Sequence, residues 1–450
     1  MKSINSNSTL EGLDLSIIQK ILRSGASGSV ILRAFGHFLR FFLGVTLARM
    51  LGPEIFGMYS YAIAIVALVS IIGILGMDQI PSRFLGEYLE NKEWGLVKGL
   101  VNSSQQMVLV AAIVITFVTG LFIYIFPRNL SDTEVLSILI ILGSVPLVAL
   151  SQTRQALCRG MHHPILAQIP ENIIYPGLII ILIFFYRYVY PVSDLNLITI
   201  SLINVFSWAV VWLIGLALLR ISMPSLVKLA NPKNERKRWM SMTPAIILST
   251  GSYIILSKSD IIILQALTTS KDMGIYVAAA RGSELIQFMY EAVTLAGVSI
   301  FSSLYTINNR EKITAFISLV SRYIFFGTLP VYVFFMYNVE WLLGLFGPEY
   351  IEGSQVFYIL TTSYFISSIG GMVIPMMYII GRQKEAAFII LVYALINIIL
   401  SLILVNYFGA VGAAWSFGAS LIFMKATFMF RLYKIKGYIC LPFLFRTNNS

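Results

Sequence analysis

Twelve long apolar runs fill this chain of 450 residues, and nearly every lysine and arginine falls in alternate gaps between them. A bilayer core needs about 20 apolar residues per crossing helix. No water reaches the backbone there, so each run must close its own hydrogen bonds as helix. The runs lie near 26–48, 56–79, 105–126, 135–157, 165–186, 195–219, 242–267, 275–304, 313–337, 355–380, 386–408 and 409–430. Hydrophobic residues make up 58% of the chain and charged residues 12%, more apolar surface than a soluble domain of this length can cover. The expected fold class is an all-α polytopic membrane protein with twelve transmembrane helices.

The basic residues set its orientation. Counting lysine and arginine, the N-terminal segment, every second gap and the C-terminal tail hold 22, including six between Arg220 and Arg238. The opposite gaps hold four: Arg49, Arg128, Arg187 and Lys271. By the positive-inside rule the rich side is cytoplasmic, which puts both termini inside and the protein in the plasma membrane. A missed span would invert every later gap, and no inversion is visible. The net charge of +11 could suggest nucleic-acid binding. The charge sits at membrane edges instead, where membrane lipids of negative charge attract it, and no nucleic-acid partner is expected. Leu10, Leu13, Ile17 and Ile21 recur at helical spacing, so residues 10–22 are expected to lie on the inner leaflet as part of a cytoplasmic segment 1–24. The first 24 residues lack a long apolar core, and no cleavable signal peptide is expected.

Catalytic machinery is not legible. The gaps are too short for an active-site domain, and the phosphate-loop pattern G-x-x-x-x-G-K-[ST] is missing. Cys158 and Cys440 read as unpaired thiols on the cytoplasmic side. His162 and His163 beside Cys158 lack metal-ligand spacing, so no metal or other cofactor is expected. Transport suits the chain better than enzyme activity.

Charges inside the spans carry the functional signal, because one ionised residue at mid-bilayer costs roughly 2.5–3.5 kcal/mol on insertion scales. Ser29, Arg33, His37, Arg40 and Gly44 share one face of the first span. Arg33 could snorkel to the inner interface. Arg40 lies too deep for that, so the stripe is read as lining a wet cavity. In the seventh span Ser249, Tyr253, Ser257 and Asp260 share a face, with Lys258 offset. In the eighth, Arg281, Glu284, Phe288 and Glu291 do the same, and Arg281 could neutralise Glu284 within the helix. Glu171 lies between Pro170 and Pro176, where the fifth span should open its backbone. Lys425 is read as snorkelling. Asp260, Glu284, Glu291 and Glu171 either couple transport to H⁺ or Na⁺ or balance the arginines.

The two halves repeat. "LARMLGPEIFGMY" at 47–59 and "LQALTTSKDMGIY" at 264–276 both follow an odd-numbered span, carry an acid before Gly-x-Tyr and open the next span. The offset is 217 residues, so both halves share one orientation and are related by an axis along the membrane normal. The expected parts are lobes at 25–219 and 241–432, six helices each, a basic cytoplasmic linker at 220–240 and a tail at 433–450.

These residues resemble the polysaccharide-biosynthesis oligosaccharide flippases (the Wzx type) of the MATE-like flippase and exporter superfamily. The resemblance rests on "LARMLGPEIFGMYSY" at 47–61, "DIIILQALTTSKDMGIYVAAA" at 260–280, "LLGLFGPEYIEGSQVFYIL" at 342–360 and "GRQKEAAFIILVYALINIILSLILVNYFGAVGAAWS" at 381–416. It implies two six-helix lobes around a central cavity. It also implies a substrate, an oligosaccharide on a polyprenyl (pyro)phosphate moved from the inner to the outer leaflet, by a monomer working with glycosyltransferases and a polymerase of the same pathway. Lipid II flippases add two further spans, a departure that sets this chain apart from that branch. The residues suit an anionic lipid: Arg33, His37, Arg40 and Arg281, with Tyr253, are the candidate substrate-binding residues, since arginine offers forked donors to phosphate. The alternative is a MATE-type cation-coupled drug or metabolite antiporter, which should present acids in the first span, where this chain has none.

Overall fold

The computed structural model describes residues 26–127, 130–191, 195–307 and 309–442. The amphipathic segment at 10–22 and the Ser29 side chain fall outside what is described. Every regular element among the described residues is helical. The first half runs through α1 (Ala26–Ile74), α2 (Ile80–Glu90), α3 (Trp94–Ile125), α4 (Asp132–Leu142) and α5 (Val145–Gly160). It continues with α6 (Pro164–Ile169), a π-helical turn (Pro170–Ile174), α7 (Tyr175–Val189) and α8 (Leu197–Ser222). Two short helices follow, α9 (Ser225–Leu229) and α10 (Arg236–Met240). The second half holds α11 (Thr243–Leu267), α12 (Ser270–Glu284), α13 (Gln287–Ile307), α14 (Arg310–Tyr337) and α15 (Val339–Gly344). After a 3₁₀ turn (Pro348–Gly353) come α16 (Ser354–Ile369), α17 (Val373–Ile379) and α18 (Gln383–Lys436).

Local chemistry explains the helix starts. Ser131 and Thr269 form capping boxes with Glu134 and Asp272, and Asn196 and Asn309 cap α8 and α14. Hydroxyls inside the helices return to the carbonyl one turn back, as Thr46 does to Phe42, Thr153 to Ala149 and Ser201 to Leu197. These hydroxyls in the spans are thus satisfied without water.

The two longest helices fold back on themselves. α18 has 54 residues, and a straight helix of that length would reach about 80 Å against a core of about 30 Å. It breaks at Gly409, whose φ of 55° and ψ of −132° are not helical. Beyond the break the arms are antiparallel: Ser401 and Ser416 hydroxyls meet at 2.6 Å, Tyr393 and Thr427 at 2.7 Å, and Arg431 reaches Glu385. α1 breaks at Gly52 (φ 69°, ψ 169°), immediately before Pro53. The Tyr350 hydroxyl donates to the Ala48 carbonyl at 3.1 Å, while its ring packs edge-on against Phe56 on the other arm, centroids 6.2 Å apart.

Among the described residues nine helices are long and apolar enough to cross a membrane, or ten if the bent pair Pro348–Ile369 and Val373–Ile379 is one span. That is fewer than the twelve apolar runs because each folded-back helix counts once. The run at 275–304 is also interrupted, between α12 and α13. α2 had been hidden inside a gap: Leu75 and Gly76 turn the chain with positive φ, and Pro81 starts the new helix.

Contacts sort the gaps into two ends. At one end Gly160 packs on Leu85, the Arg159 guanidinium donates to the Asp78 carbonyl at 2.9 Å, and the Thr243 hydroxyl donates to the Leu75 carbonyl at 2.8 Å. The basic segment after α8 docks here. Lys233 N–H donates to the Gly95 carbonyl at 2.8 Å, and the Lys233 carbonyl lies so near Gly99 that an added Cβ would sit 1.6 Å from it. Trp239 is fully buried and donates to the Tyr88 hydroxyl at 3.1 Å, which in turn donates to Glu235 at 2.7 Å. That hydroxyl, and then Arg238, hold the Glu235 carboxyl below the usual range, while burial pushes Tyr88 up to about 12. A depressed carboxyl adds stability above its ordinary range and loses it as pH falls through the depressed value, so this dock holds at neutral pH and loosens in acid.

At the other end the repeat copies meet. An added Cβ on Gly57 would lie 2.1 Å from the Ser270 carbonyl oxygen, and one on Gly274 would lie 1.9 Å from that of Pro53. Pro53 and Ser270 are themselves 217 residues apart, so the two close approaches form one pseudo-symmetric seam. Arg49 clamps the same end, donating to the Leu345 and Gly344 carbonyls at 2.6 and 3.2 Å.

Candidate functional site

Behind the glycine seam lies a cavity of about 260 Å³ between α1, α11, α12, α13 and the second arm of α18. α1 brings His37 and Arg40 to it from its polar face. α11 supplies Lys258 and Asp260, α12 supplies Tyr276, Arg281 and Glu284, and α13 supplies Glu291. One feature of α1 admits the neighbour from across the cavity: at Gly44 an added Cβ would stand 3.1 Å from the Arg281 side chain. The Arg281 guanidinium lies 5.6 Å from the Phe56 ring centroid, within cation–π range, so this residue touches both arms of α1.

The cations and acids in this region do not pair as their numbers would permit. Arg33 donates to Gln168 at 3.0 Å, and Arg40 donates to Asn172 at 3.1 Å and to the Gly36 carbonyl at 3.3 Å. Among the described residues no carboxylate comes within 4.0 Å of Arg33, Arg40 or Arg281. The Arg281–Glu284 pair that helical spacing permits does not form within α12. Glu291 bonds His37 Nε2 at 2.8 Å, joining α13 to α1. Asp260 is buried, accepts from the Ile261 N–H at 2.9 Å and takes the Tyr276 hydroxyl. Tyr59, the repeat counterpart of Tyr276, accepts from Asn204 at 2.8 Å.

Gln168 and Asn172 reach α1 because the fifth span is opened where its prolines stand. Pro170–Ile174 is π-helical, with Gln168 and Asn172 turned toward the arginines and Glu171 turned into the first half. Glu171 is held there by Arg154, whose Nη2 lies 2.6 and 2.7 Å from its two oxygens and 2.9 Å from the Ala167 carbonyl. Arg154 is fully buried, and it lies three residues inside the fourth apolar run although it was counted among the basic residues of the following gap.

Of the candidate residues, then, the structure gathers His37, Arg40, Arg281, Asp260, Glu284 and Glu291 at one cavity. Arg33 sits one turn before His37 on α1, bound to Gln168. Tyr253 is 56% exposed on α11, outside the cavity wall, and Glu171 lies in the interior of the first half. Lys258 joins the wall although only its neighbours had been placed on that face. Lys425 does not snorkel: it is 7% exposed and donates to the Tyr290 hydroxyl at 2.8 Å.

A family model described as polysaccharide biosynthesis protein matches residues 24–296. No curated protein matches the chain in sequence. Solved structures match along nearly its whole length. An inward-facing multidrug resistance MATE family transporter of the MOP superfamily superposes with a TM-score of 0.74 at 15% identity, covering 91% of this chain and 98% of its own. A MOP superfamily transporter from Pyrococcus furiosus, described as having a binding pocket of reverse polarity, gives 0.67 at 16% identity over 91% and 95%. An outward-facing MATE family transporter gives 0.66 at 15% identity over the same shares. The likeness establishes a multi-pass membrane protein with the MATE transporter fold.

Proposed function

The chain belongs to the polysaccharide biosynthesis protein family, and on that premise we propose that it is a flippase for a polyprenyl-(pyro)phosphate-linked oligosaccharide, carried from the inner to the outer leaflet. The observation that carries this reading is the set of guanidinium groups at and beside the cavity, Arg40 and Arg281 foremost, with no carboxylate at ion-pair distance among the described residues. A cation within a membrane span and without an ion-pair partner is costly, and a phosphate supplies one with geometry suited to arginine's paired donors. Two of the three cavity acids, Asp260 and Glu291, are already engaged by Tyr276 and His37, which leaves Glu284 alone to meet a cationic drug.

In this reading the two halves are lobes at 25–219 and 241–432. Counting the bent pair as one span and the folded-back α1 and α18 as two each gives twelve crossings. The basic end, with both termini, is cytoplasmic, and the glycine seam closes the outer end of an alternating-access path. The segment at 220–240 moves with the first lobe, since it is docked on α2 and α3.

Arg40→Ala is expected to lower surface glycan per molecule of inserted protein by at least about tenfold, the scale of one lost charge-assisted contact. Lysine at 40 should restore export only in part, keeping the charge but losing the fork. Full export by the alanine variant at unchanged abundance would remove Arg40 from substrate binding.

A further inference from the structure

We infer that Glu291 occupies the anion subsite of the empty transporter and must be displaced when the anionic headgroup enters, an inference that rests on the flippase reading above. The His37–Glu291 hydrogen bond ties α1 to α13 across the cavity, at 2.8 Å, and both side chains remain accessible there, 38% and 46% exposed. It lies in the middle of the cationic stripe: Arg33 stands one turn before His37 on α1 and Arg40 one turn after, and both interact electrostatically with Glu291. From α12, Glu284 faces the same region.

The Glu291 carboxylate takes a hydrogen bond from the His37 imidazole and stands in the field of two guanidiniums, the surroundings a phosphate oxygen would find. Glu291 therefore offsets the charge of the stripe while no substrate is present. The same carboxylate then competes with any incoming anion, so the measured affinity is lowered by the work of moving it aside. Because its partner is on α1, displacement also removes a bond between the two halves of the chain, linking headgroup arrival to their release from each other.

The test uses the full chain in detergent micelles and geranylgeranyl diphosphate as the probe. Glu291→Gln, which keeps size and hydrogen bonding but removes the charge, should bind the probe about tenfold more tightly than wild type. Adding Arg40→Ala to that variant should abolish the gain. On the unaltered protein, a hydrophobic carbodiimide followed by peptide mass mapping reads the state of Glu291 directly: the probe should increase labelling of Glu291, because the carboxyl leaves its cations. Equal or weaker binding by Glu291→Gln, or unchanged labelling, overturns the displacement while leaving the flippase reading intact. Probe binding to neither wild type nor variant defeats that reading instead.

Discussion

Arg154→Ala is expected to destabilise the folded protein by about 3–5 kcal/mol, the scale on which one member of a buried ion pair is lost. Arg154 is fully buried and Glu171 is 8% exposed, so the abandoned carboxylate has no water to turn to. The loss reaches further than the pair. Arg154 also holds the Leu166 and Ala167 carbonyls that the proline-broken fifth span leaves unpaired, at 3.3 and 2.9 Å. Those carbonyls stand just before Gln168 and Asn172, which orient Arg33 and Arg40. The double variant Arg154→Met with Glu171→Met should recover most of the lost stability, because two apolar side chains leave no charge stranded. Thermal unfolding in detergent, followed by size-exclusion of the surviving fraction, checks both. A single variant as stable as wild type would contradict the assignment of the pair as structural.

Gly274→Val should open the glycine seam and shift the closed population by at least tenfold. At 1.9 Å from the Pro53 carbonyl oxygen even a methyl group cannot be placed, and the obstacle is backbone, not a side chain that could swing away. Overpacking of this kind costs about 1–3 kcal/mol where neighbours can adjust, and a shift of 1.4 kcal/mol is already tenfold. Gly57→Val should act in the same direction, since its Cβ would stand 2.1 Å from the Ser270 carbonyl oxygen. Spin labels at positions 54 and 271 in membranes should report a lengthened distance distribution for either variant. Distances identical to wild type would mean that the seam is not the closing contact.

Much of this was legible from residue order alone. The crossing helices were, because each is long enough for apolar content to decide. The stripe of Arg33, His37 and Arg40 was, because helical spacing puts residues on a face whatever surrounds it. Partner choice was not. Arg154 and Glu171 are 17 residues apart and meet only because the chain turns between α5 and α6 and the π-helical turn rotates Glu171 inward. Arg281 could have neutralised Glu284 one turn away; it reaches across to α1 instead, where Gly44 leaves room and Phe56 offers a ring face. Lys425 lies close enough to a helix end to snorkel, and the hydroxyl that holds it inside belongs to Tyr290, 135 residues away. Such contacts depend on which helix faces which, and composition does not encode that.

A lipid whose anionic headgroup enters the arginine-lined cavity should cross the bilayer through this chain. Purified protein in unilamellar vesicles, with a fluorescent oligosaccharide linked to a polyprenyl diphosphate in both leaflets, measures it directly through a membrane-impermeant quencher. With wild-type protein the inner-leaflet pool should become quenchable over time, and vesicles carrying Arg40→Ala should show only the outer-leaflet share. If wild-type vesicles also stop at the outer-leaflet share, while the same preparation extrudes a cationic dye, the chain is a drug exporter and not a flippase.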